Sequence, residues 1–196
     1  MKSKILIGLS GGVDSSVSLK ILKEQGYFVE ALYMKNWDED DKSSGCNAAE
    51  ELEYAIDVCD KLNVKLNTAN FSDEYWNKIF LNFIENYKSG YTPNPDILCN
   101  KYIKFKVFVD HAKDLGFDKI ATGHYAKITK KNNNYFLDKP KDSNKDQTYF
   151  LHSLDQNQLK NVIFPLSNYK KDDVKKIAKK SGFKSYSKKE SMGICF

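Results

Sequence analysis

The sequence contains no arginine, few cysteines and no long apolar stretch. All 31 Lys+Arg residues are lysines, so contacts with phosphate must come from lysine, backbone N–H groups or small polar side chains rather than from a planar guanidinium. The four cysteines, Cys46, Cys59, Cys99 and Cys195, fit neither a zinc site nor a disulfide framework, which favours thiol chemistry in a reducing compartment. No run approaches the roughly 18 apolar residues of a membrane span, and residues 1–4 lead straight into a strand-like segment. We therefore expect a soluble, cytoplasmic protein.

The composition is that of a globular protein whose charge is unevenly distributed. The chain has 196 residues, of which 41% are hydrophobic and 29% charged, which suits one large α/β domain or a domain with an appendage and excludes collagen-like, disordered and coiled-coil classes. Residues 30–60 carry ten acidic residues against two lysines, whereas residues 160–190 carry ten lysines against three acidic residues. The basic segment is the better candidate for contact with a polyanion, although a solvated helix face has the same composition.

Apolar runs alternate with segments of helical periodicity through the first 125 residues. We predict strands at residues 4–9, 28–33, 64–70 and 118–122, and helices at residues 15–25, 48–62, 72–90 and after Pro95. Ser72 and Asp73 are predicted to cap the helix at residues 72–90. This alternation predicts a doubly wound α/β fold, in which helices cover both faces of a parallel sheet and the ligand site lies at the carboxyl ends of the strands. Residues 125–130 and 135–138 predict a hairpin at the sheet edge, and the remainder is predicted to be helical and basic.

The most informative motif lies where the first strand turns into the first helix. It reads Leu-Ser-Gly-Gly-Val-Asp-Ser-Ser at residues 9–16. Adjacent glycines let a polyanion approach the backbone closely, and the helix N-terminus and the serine hydroxyls can donate hydrogen bonds to phosphate oxygens. No lysine follows the glycines, so the motif differs from the Walker loop. It predicts a site for a nucleotide phosphate; the alternative is an ordinary glycine turn.

A second motif, Thr-Pro-Asn-Pro-Asp-Ile-Leu-Cys-Asn at residues 92–100, combines two prolines with a cysteine. The prolines favour an extended approach to a helix, which places Asp96 and Cys99 three positions apart on one face at the helix entrance. The helix dipole would stabilise a thiolate there, although an isolated helical cysteine is more often a small buried apolar residue. Asp96 could act as a general acid or base, or it could cap the helix.

Both motifs resemble those of known enzymes. The loop Ser-Gly-Gly-Val-Asp-Ser after a first strand resembles the pyrophosphate loop of the ATP pyrophosphatase (PP-loop) superfamily, whose members cleave ATP between the α and β phosphates to adenylate an oxygen. From Lys4 to its last residue the chain also resembles the tRNA-specific 2-thiouridylase family (MnmA/TrmU type). That resemblance rests on seven segments in family order: GLSGGVDSS, YMKNW, PNPDILCN, KF, ATGHYA, KDQTYFL and GICF.

The resemblance implies ATP-dependent thiolation of tRNA at C2 of the anticodon wobble uridine, with Mg²⁺ and with sulfur delivered as a cysteine persulfide from a sulfur-carrier protein or a cysteine desulfurase. Residues 1–140 would be a PP-loop catalytic domain of the adenine nucleotide alpha hydrolase type, and residues 141–196 a basic helical extension that contacts tRNA. Cys99 would be the nucleophile, Cys195 the persulfide carrier and Asp96 a catalytic acid or base. The ATP contacts would be Gly8, Leu9, Ser10, Gly11, Gly12, Val13, Asp14, Ser15, Met34 and Gly123. The tRNA contacts would be Asn94, Pro95, Asp96, Lys145, Asp146 and Gln147.

Two other interpretations stay open at this point, namely another adenylating synthetase of the same superfamily and a non-catalytic module that binds ATP or RNA. Family members usually continue into β-rich domains, and the apolar residues 193–196 suggest a truncated end. Outside the motifs, Cys59 is predicted to be a core residue, and His111 and His152 to be packing or surface residues. His124 follows a predicted strand, and it lies either near the nucleotide or simply hydrogen-bonded to the backbone.

Overall fold

A parallel five-stranded sheet forms the centre of the protein. The computed structural model describes residues 2–36 and 48–187, the side chain of Ala48 excepted. The strands lie in the order β3-β2-β1-β4-β7, and each neighbouring pair is parallel. This order confirms the predicted doubly wound fold and places the switch in strand order between β1 and β4, where such sheets bind ligands. The strands are β1 (Lys4–Gly8), β2 (Phe28–Lys35), β3 (Leu66–Asn70), β4 (Lys119–Ala121) and β7 (Val162–Ile163).

Two apolar layers cover the sheet, one on each face. Along β1, Ile5 and Ile7 belong to one layer and Leu6 to the other, because successive side chains of a strand point to opposite faces. The first layer joins the sheet to helices α1 (Val13–Glu24), α2 (Ala48–Leu62) and α8 (Lys171–Lys180). The second layer is rich in aromatic residues and belongs to two longer helices. Since both faces are covered, β1 needs a continuous apolar run, which is the pattern that predicted it.

Each of these longer helices contains a π-helical segment, a feature that often occurs at functional sites. Helix α3 (Ser72–Tyr75) continues through Trp76–Phe80 into α4 (Leu81–Lys88). Helix α5 (Pro95–Cys99) continues through Asn100–Val107 into α6 (Phe108–Asp114), and we call this continuous segment the Cys99 helix.

The predicted capping of α3 by Ser72 and Asp73 is wrong. Phe71 is the N-cap residue and offers no side-chain acceptor. The amide Oδ1 of Asn70 accepts the Ser72 N–H at 2.9 Å instead, so the residue before the N-cap satisfies a donor that the helix leaves free.

The predicted hairpin forms, but it is separate from the main sheet. Strands β5 (Lys127–Lys131) and β6 (Asn134–Asp138) pair antiparallel as a sheet of their own. Asn132 and Asn133 have φ angles of 48° and 65°, which suit a two-residue turn whose twist matches that of the strands.

The edge of the main sheet is formed by β7, from a region that was predicted to be entirely helical. With two residues, β7 is too short to leave a periodic signal in the sequence.

The C-terminal part of the described chain packs on the rest. β7 pairs with β4, and α8 shares an apolar layer with α1. The division of the chain at residue 140 stays a prediction, but these contacts link the segments before and after that residue through one sheet and one apolar layer.

Within residues 2–36 and 48–187, none of the helices is long and apolar enough to cross a membrane. The remaining elements are α7 (Gln156–Lys160) and short 3₁₀ turns at Ser143–Lys145, Thr148–Leu151, Pro165–Asn168 and Lys184–Ser187.

Candidate active site

The glycine loop, by which we mean residues 9–16, runs from the carboxyl end of β1 into the first turn of α1. Gly12 is the N-cap residue of the 12-residue helix α1 and has extended backbone angles. The hydroxyl groups of Ser15 and Ser16 both donate to the Gly12 carbonyl, at 3.1 and 2.7 Å. The Ser10 N–H donates to Ser15 Oγ at 3.3 Å, so the loop is closed by its own serines. The first N–H groups of α1 therefore lie at the carboxyl edge of the sheet, as phosphate binding requires.

Three glycines allow neighbouring segments to meet at this loop. A Cβ atom at Gly11, whose φ is +69°, would lie 2.2 Å from the Glu51 carbonyl oxygen. At Gly123 it would lie 2.8 Å from the Ser15 nitrogen, and at Gly8 it would lie 3.0 Å from Met34 Cε. The ends of β1, β2 and β4 thus converge on the start of α1. The structure brings the predicted ATP contacts together; their binding of ATP stays a prediction.

Asp14 takes part in a charged cluster that sequence reasoning missed. Lys171 Nζ donates to both carboxylate oxygens of Asp14, at 2.8 and 2.7 Å, and Tyr125 Oη donates to one of them at 2.9 Å. Lys171 is only 7% exposed, and its backbone N–H donates to Asp142 at 2.8 Å. That hydrogen bond is the main cause that lowers the pKa of the Asp142 carboxyl group. The sequence held one indirect signal: if the glycine loop binds phosphate, the absence of a Walker lysine requires a cation from elsewhere in the chain.

The second motif begins the Cys99 helix. Asn94 is its N-cap residue, and the Asn94 Oδ1 accepts the Asp96 N–H at 3.1 Å. Pro95 is buried in the first helical turn, where its missing N–H costs nothing. Asn94 rather than Asp96 therefore caps the helix. Within the described residues the Asp96 carboxylate has no hydrogen-bond or ion-pair partner, which leaves it available for proton transfer.

Cys99 is more deeply placed than the sequence predicted. It is the last of the five residues of α5, beyond the first helical turn, and is 2% exposed within the aromatic layer. The stabilising field of a helix N-terminus falls off within the first turn, so the dipole contributes less to a thiolate here than the predicted entrance position implied. Asp96 and Cys99 lie on the same helical segment, as predicted.

The Cys99 helix reaches the same edge of the sheet as the glycine loop. A Cβ atom at Gly8 would lie 3.3 Å from Phe108 Cε1, so this residue of the helix is level with the end of β1. From there the helix runs on towards the start of β4, antiparallel to it. Cys99 comes nine residues before Phe108, which places it on the order of 10 Å beyond the end of β1 along the helix axis.

His124 links the glycine loop to the Cys99 helix. It follows Gly123, and its Nδ1 lies 2.8 Å from Thr122 Oγ1, so its partner is a side chain rather than the backbone. The imidazole also packs against the rings of Phe105 and Phe164, with centroid distances of 5.7 and 6.1 Å. Burial, and after it the positive charge of Lys104, lowers the pKa of His124 to about 3. The ring is therefore neutral at physiological pH.

Replacing His124 by glutamine is expected to remove an acid-sensitive contribution to stability. The pKa is about 3 in the folded chain and 6.5 for an unperturbed histidine, so between these values the unfolded state binds one more proton. This contribution is fully present above pH 6.5, and on acidification below about pH 6 the part of the free energy of unfolding that is due to His124 falls by about 1.4 kcal/mol per pH unit. Urea unfolding as a function of pH measures the slope, with the exposed His152→Gln as control. Equal slopes for wild type and His124→Gln would contradict the assignment.

The Lys145–Gln147 segment is fixed beside the site by its own side chains. Gln147 Oε1 accepts the Tyr125 N–H at 2.9 Å, while the Gln147 N–H donates to the Tyr125 carbonyl at 3.0 Å. Asp146 accepts hydrogen bonds from both the N–H and the hydroxyl of Thr148. Asp146 and Gln147 therefore have structural partners, and the predicted tRNA contacts of this segment stay predictions.

The remaining cysteines fall into two groups. Cys59 is buried in the first apolar layer, as predicted, and burial followed by the charge of Asp60 raises its pKa to about 12. Cys46 and the predicted persulfide carrier Cys195 lie outside the described residues. Over residues 2–36 and 48–187, no group of three or more His, Cys, Asp or Glu side chains is placed to hold a metal ion.

Comparison with known proteins shows which family the sequence matches. The family model described as "tRNA methyl transferase HUP domain" matches residues 3–196. The tRNA-specific 2-thiouridylases MnmA of Ruthia magnifica and Buchnera aphidicola are 56% and 58% identical over 194 residues, which is 99% and 98% of this chain and 53% of each relative. The chain thus spans about half the length of the curated relatives that it matches.

Two solved structures share the fold. A 4-thiouridine synthetase in complex with RNA and ATP has a TM-score of 0.63 at 18% identity, over 96% of this chain and 43% of that one. The U34-tRNA thiolase NcsA from Methanococcus maripaludis, with its [4Fe-4S] cluster, has a TM-score of 0.59 at 20% identity. The match covers 99% of this chain and 61% of that one. At this level of identity the likeness supports the α/β architecture alone.

Proposed function

The chain belongs to the tRNA methyl transferase HUP domain family, and from that membership we propose that it is the ATP-using, thiol-bearing part of a tRNA 2-thiouridylase. The reaction is the replacement by sulfur of the C2 oxygen of the wobble uridine in a tRNA anticodon. The description of the family refers to methyl transfer, whereas the curated relatives are named as thiouridylases. A phosphate loop close to a cysteine suits adenylation and sulfur transfer, and methyl transfer requires neither.

One observation supports this proposal above all others. The glycine loop and the Cys99 helix meet at one edge of the sheet. Gly123, which follows β4, packs against the glycine loop, and the next residue, His124, packs against Phe105 of the Cys99 helix. An activated oxygen and an attacking sulfur must be held within reach of one carbon atom, and this arrangement provides for both.

In the proposed first stage, the uridine O2 attacks the α-phosphorus of ATP and pyrophosphate leaves. The N–H groups at the start of α1, supplemented by the Lys171 ammonium, stabilise the negative charge on the phosphates. Asp14, the carboxylate of the loop, is already paired with Lys171 and hydrogen-bonded to Tyr125, so a Mg²⁺ ion that accompanies ATP would be held mainly by the phosphates, whose charge it would neutralise. Asp96, whose carboxylate has no partner in the described part of the chain, is suited to move a proton at the base.

In the proposed second stage, sulfur replaces the activated oxygen. The Cys99 thiolate attacks the inner sulfur of a Cys195 persulfide, a Cys99–Cys195 disulfide forms and hydrosulfide is released. Hydrosulfide attacks C2, and AMP leaves with the original oxygen. A thiol reductant then restores the two cysteines, and a sulfur carrier or desulfurase reloads Cys195. The Cα atoms of the two cysteines must come within about 7 Å at that step.

A direct assay tests the proposal. The chain is incubated with ATP, unmodified tRNA and sulfide, and AMP and 2-thiouridine are quantified by chromatography and mass spectrometry. Equal amounts of AMP and 2-thiouridine are expected. An amide product would favour a different adenylating synthetase, and binding of ATP or RNA without turnover would favour a non-catalytic module.

Lys171→Met is expected to weaken ATP binding at least tenfold. The change removes the cation held against Asp14 and leaves that carboxylate to repel the incoming phosphates. Because the Asp14 side chain is 33% exposed, water screens part of the loss, and we expect unfolding to become easier by only about 2 kcal/mol. Titration with ATP and urea unfolding measure the two effects.

Two further variants make this result specific. Lys171→Arg keeps the charge and should recover part of the ATP affinity, whereas Lys176→Met, at an exposed position of the same helix, should change neither quantity. Wild-type ATP affinity in Lys171→Met would show that the Asp14–Lys171 pair is structural only.

A further inference from the structure

A cleft of about 470 Å³ lies between the hairpin and the free edge of β7, away from the glycine loop. Its volume falls within the range of small-molecule and cofactor sites. Leu159, Val162 and Phe164 form an apolar floor, and lysines line the rim together with polar groups. The lining residues are Lys119, Lys127, Ile128, Lys130, Tyr135, Leu159, Val162, Ile163, Phe164, Ser167 and Asn168.

The cleft concentrates positive charge. Three of its lining residues are lysines and none is acidic. Within the described chain Lys119 and Lys127 have no ion-pair partner, and the Lys130 ammonium lies 5.6 Å from the centre of the Tyr135 ring. Residues 119–141 contain six lysines and one aspartate, a net charge of +5, which equals the net charge of the whole chain. Three ammonium groups gathered around one cavity favour an anionic occupant.

The walls of the cleft are held in place by hydrogen bonds. Gln156 of α7 accepts the Tyr135 N–H and donates to the Tyr135 carbonyl, both at 2.8 Å, and so ties β6 to α7 as a neighbouring strand would. Leu159 of the same helix lies in the floor. The hairpin therefore cannot swing away from β7 without breaking these bonds, and the cleft exists before any ligand binds.

We propose that this cleft binds phosphodiester groups of the tRNA backbone, away from the nucleotide that reacts. The identity of the RNA rests on the proposed function; the preference for phosphate rests on the lysines. Without arginine, lysine ammonium groups are the side chains by which this protein can neutralise phosphates, and an apolar floor accommodates the adjoining sugar or base.

The test compares two double variants with the same loss of charge. Lys127→Gln/Lys130→Gln removes two exposed lysines of the cleft, and Lys88→Gln/Lys113→Gln removes two exposed lysines elsewhere. Affinity for tRNA is measured over a range of salt concentrations, and affinity for ATP in parallel. In the cleft variant, tRNA binding should weaken about tenfold at low salt, and the slope of log affinity against log salt should become shallower by about 1.4 to 1.8, the range for two phosphate contacts on single-stranded or duplex nucleic acid. The control variant should keep the wild-type slope, and ATP affinity should be unchanged in both.

The possible results separate this proposal from the proposed function. An unchanged slope in the cleft variant overturns the cleft as an RNA site, while formation of AMP and 2-thiouridine by the same protein would leave the proposed function standing. Weaker ATP binding with unchanged tRNA binding would also overturn it, because the cleft would then take a free nucleotide. Failure of the wild type to bind tRNA overturns both proposals.

Discussion

Cys99→Ala is expected to lower the rate of 2-thiouridine formation at least a thousandfold when a persulfide donor supplies the sulfur, and to leave ATP affinity within about twofold of wild type. Free sulfide is left out of this assay, because hydrosulfide attacks C2 without the help of Cys99. The methyl group cannot attack sulfur, so the persulfide is not opened. The side chain lies on the order of 10 Å beyond the end of β1, so its loss should not disturb the glycine loop. Because Cys99 is 2% exposed, loss of the sulfur atom leaves a small cavity that should cost about 1 kcal/mol of stability. Mass spectrometry of the tRNA measures the rate of 2-thiouridine formation, and titration with ATP measures the affinity.

Cys59→Ala is the matched control. Cys59 is equally buried, at 2% exposure, and its raised pKa of about 12 keeps it a thiol at neutral pH. Truncation there should cost similar stability and leave thiolation within about twofold of wild type. More than a tenth of the wild-type rate in Cys99→Ala would show that this thiol is not the nucleophile.

Gly11→Ala is expected to abolish ATP binding and to destabilise the fold. The added Cβ atom would lie 2.2 Å from the Glu51 carbonyl oxygen, and the residue has a φ of +69°, which alanine rarely adopts. Since the contact is with backbone, α2 must move away from the loop. We expect a loss of about 3 kcal/mol in the free energy of unfolding and at least a hundredfold loss of ATP affinity. Urea unfolding and ATP titration again provide the measurements.

Two other glycines separate the causes of that effect. Gly116 has a φ of +81° with no atom within 4 Å of an added Cβ, so Gly116→Ala should show the cost of backbone strain alone, about 1 kcal/mol. At Gly12 the nearest such atom is Ser10 Oγ at 3.5 Å, so Gly12→Ala should fold normally. A Gly11→Ala chain as stable as Gly116→Ala would show that the close contact with α2 does not exist in solution.

Much of the fold follows from local sequence pattern. The helix at Ala48–Leu62 has the predicted bounds, and the strand beginning at Lys4 and the hairpin lie within one or two residues of those predicted. Apolar periodicity and turn residues act over a few positions, so they are legible in a single sequence. The glycine loop and the proline-flanked cysteine were recognised for the same reason: each motif is continuous along the chain.

Several site features depended on contacts between distant segments. Lys171 and Asp14 are 157 positions apart, and no local pattern pairs them; they meet because α8 packs against α1. The same is true of Gly11, whose need for glycine comes from Glu51, and of Cys99, whose burial is set by the aromatic layer around it. Packing decides such contacts, and packing depends on every element at once.

The sequence by itself determined the alternation of strands and helices, the loop chemistry at residues 8–15 and the capped start of the Cys99 helix. Only the tertiary structure decided that β7 closes the sheet edge and that a lysine from the last described helix neutralises the carboxylate of the loop. Backbone preferences are properties of short segments, whereas the partner of a charged group is whichever opposite charge the assembled layers bring within reach.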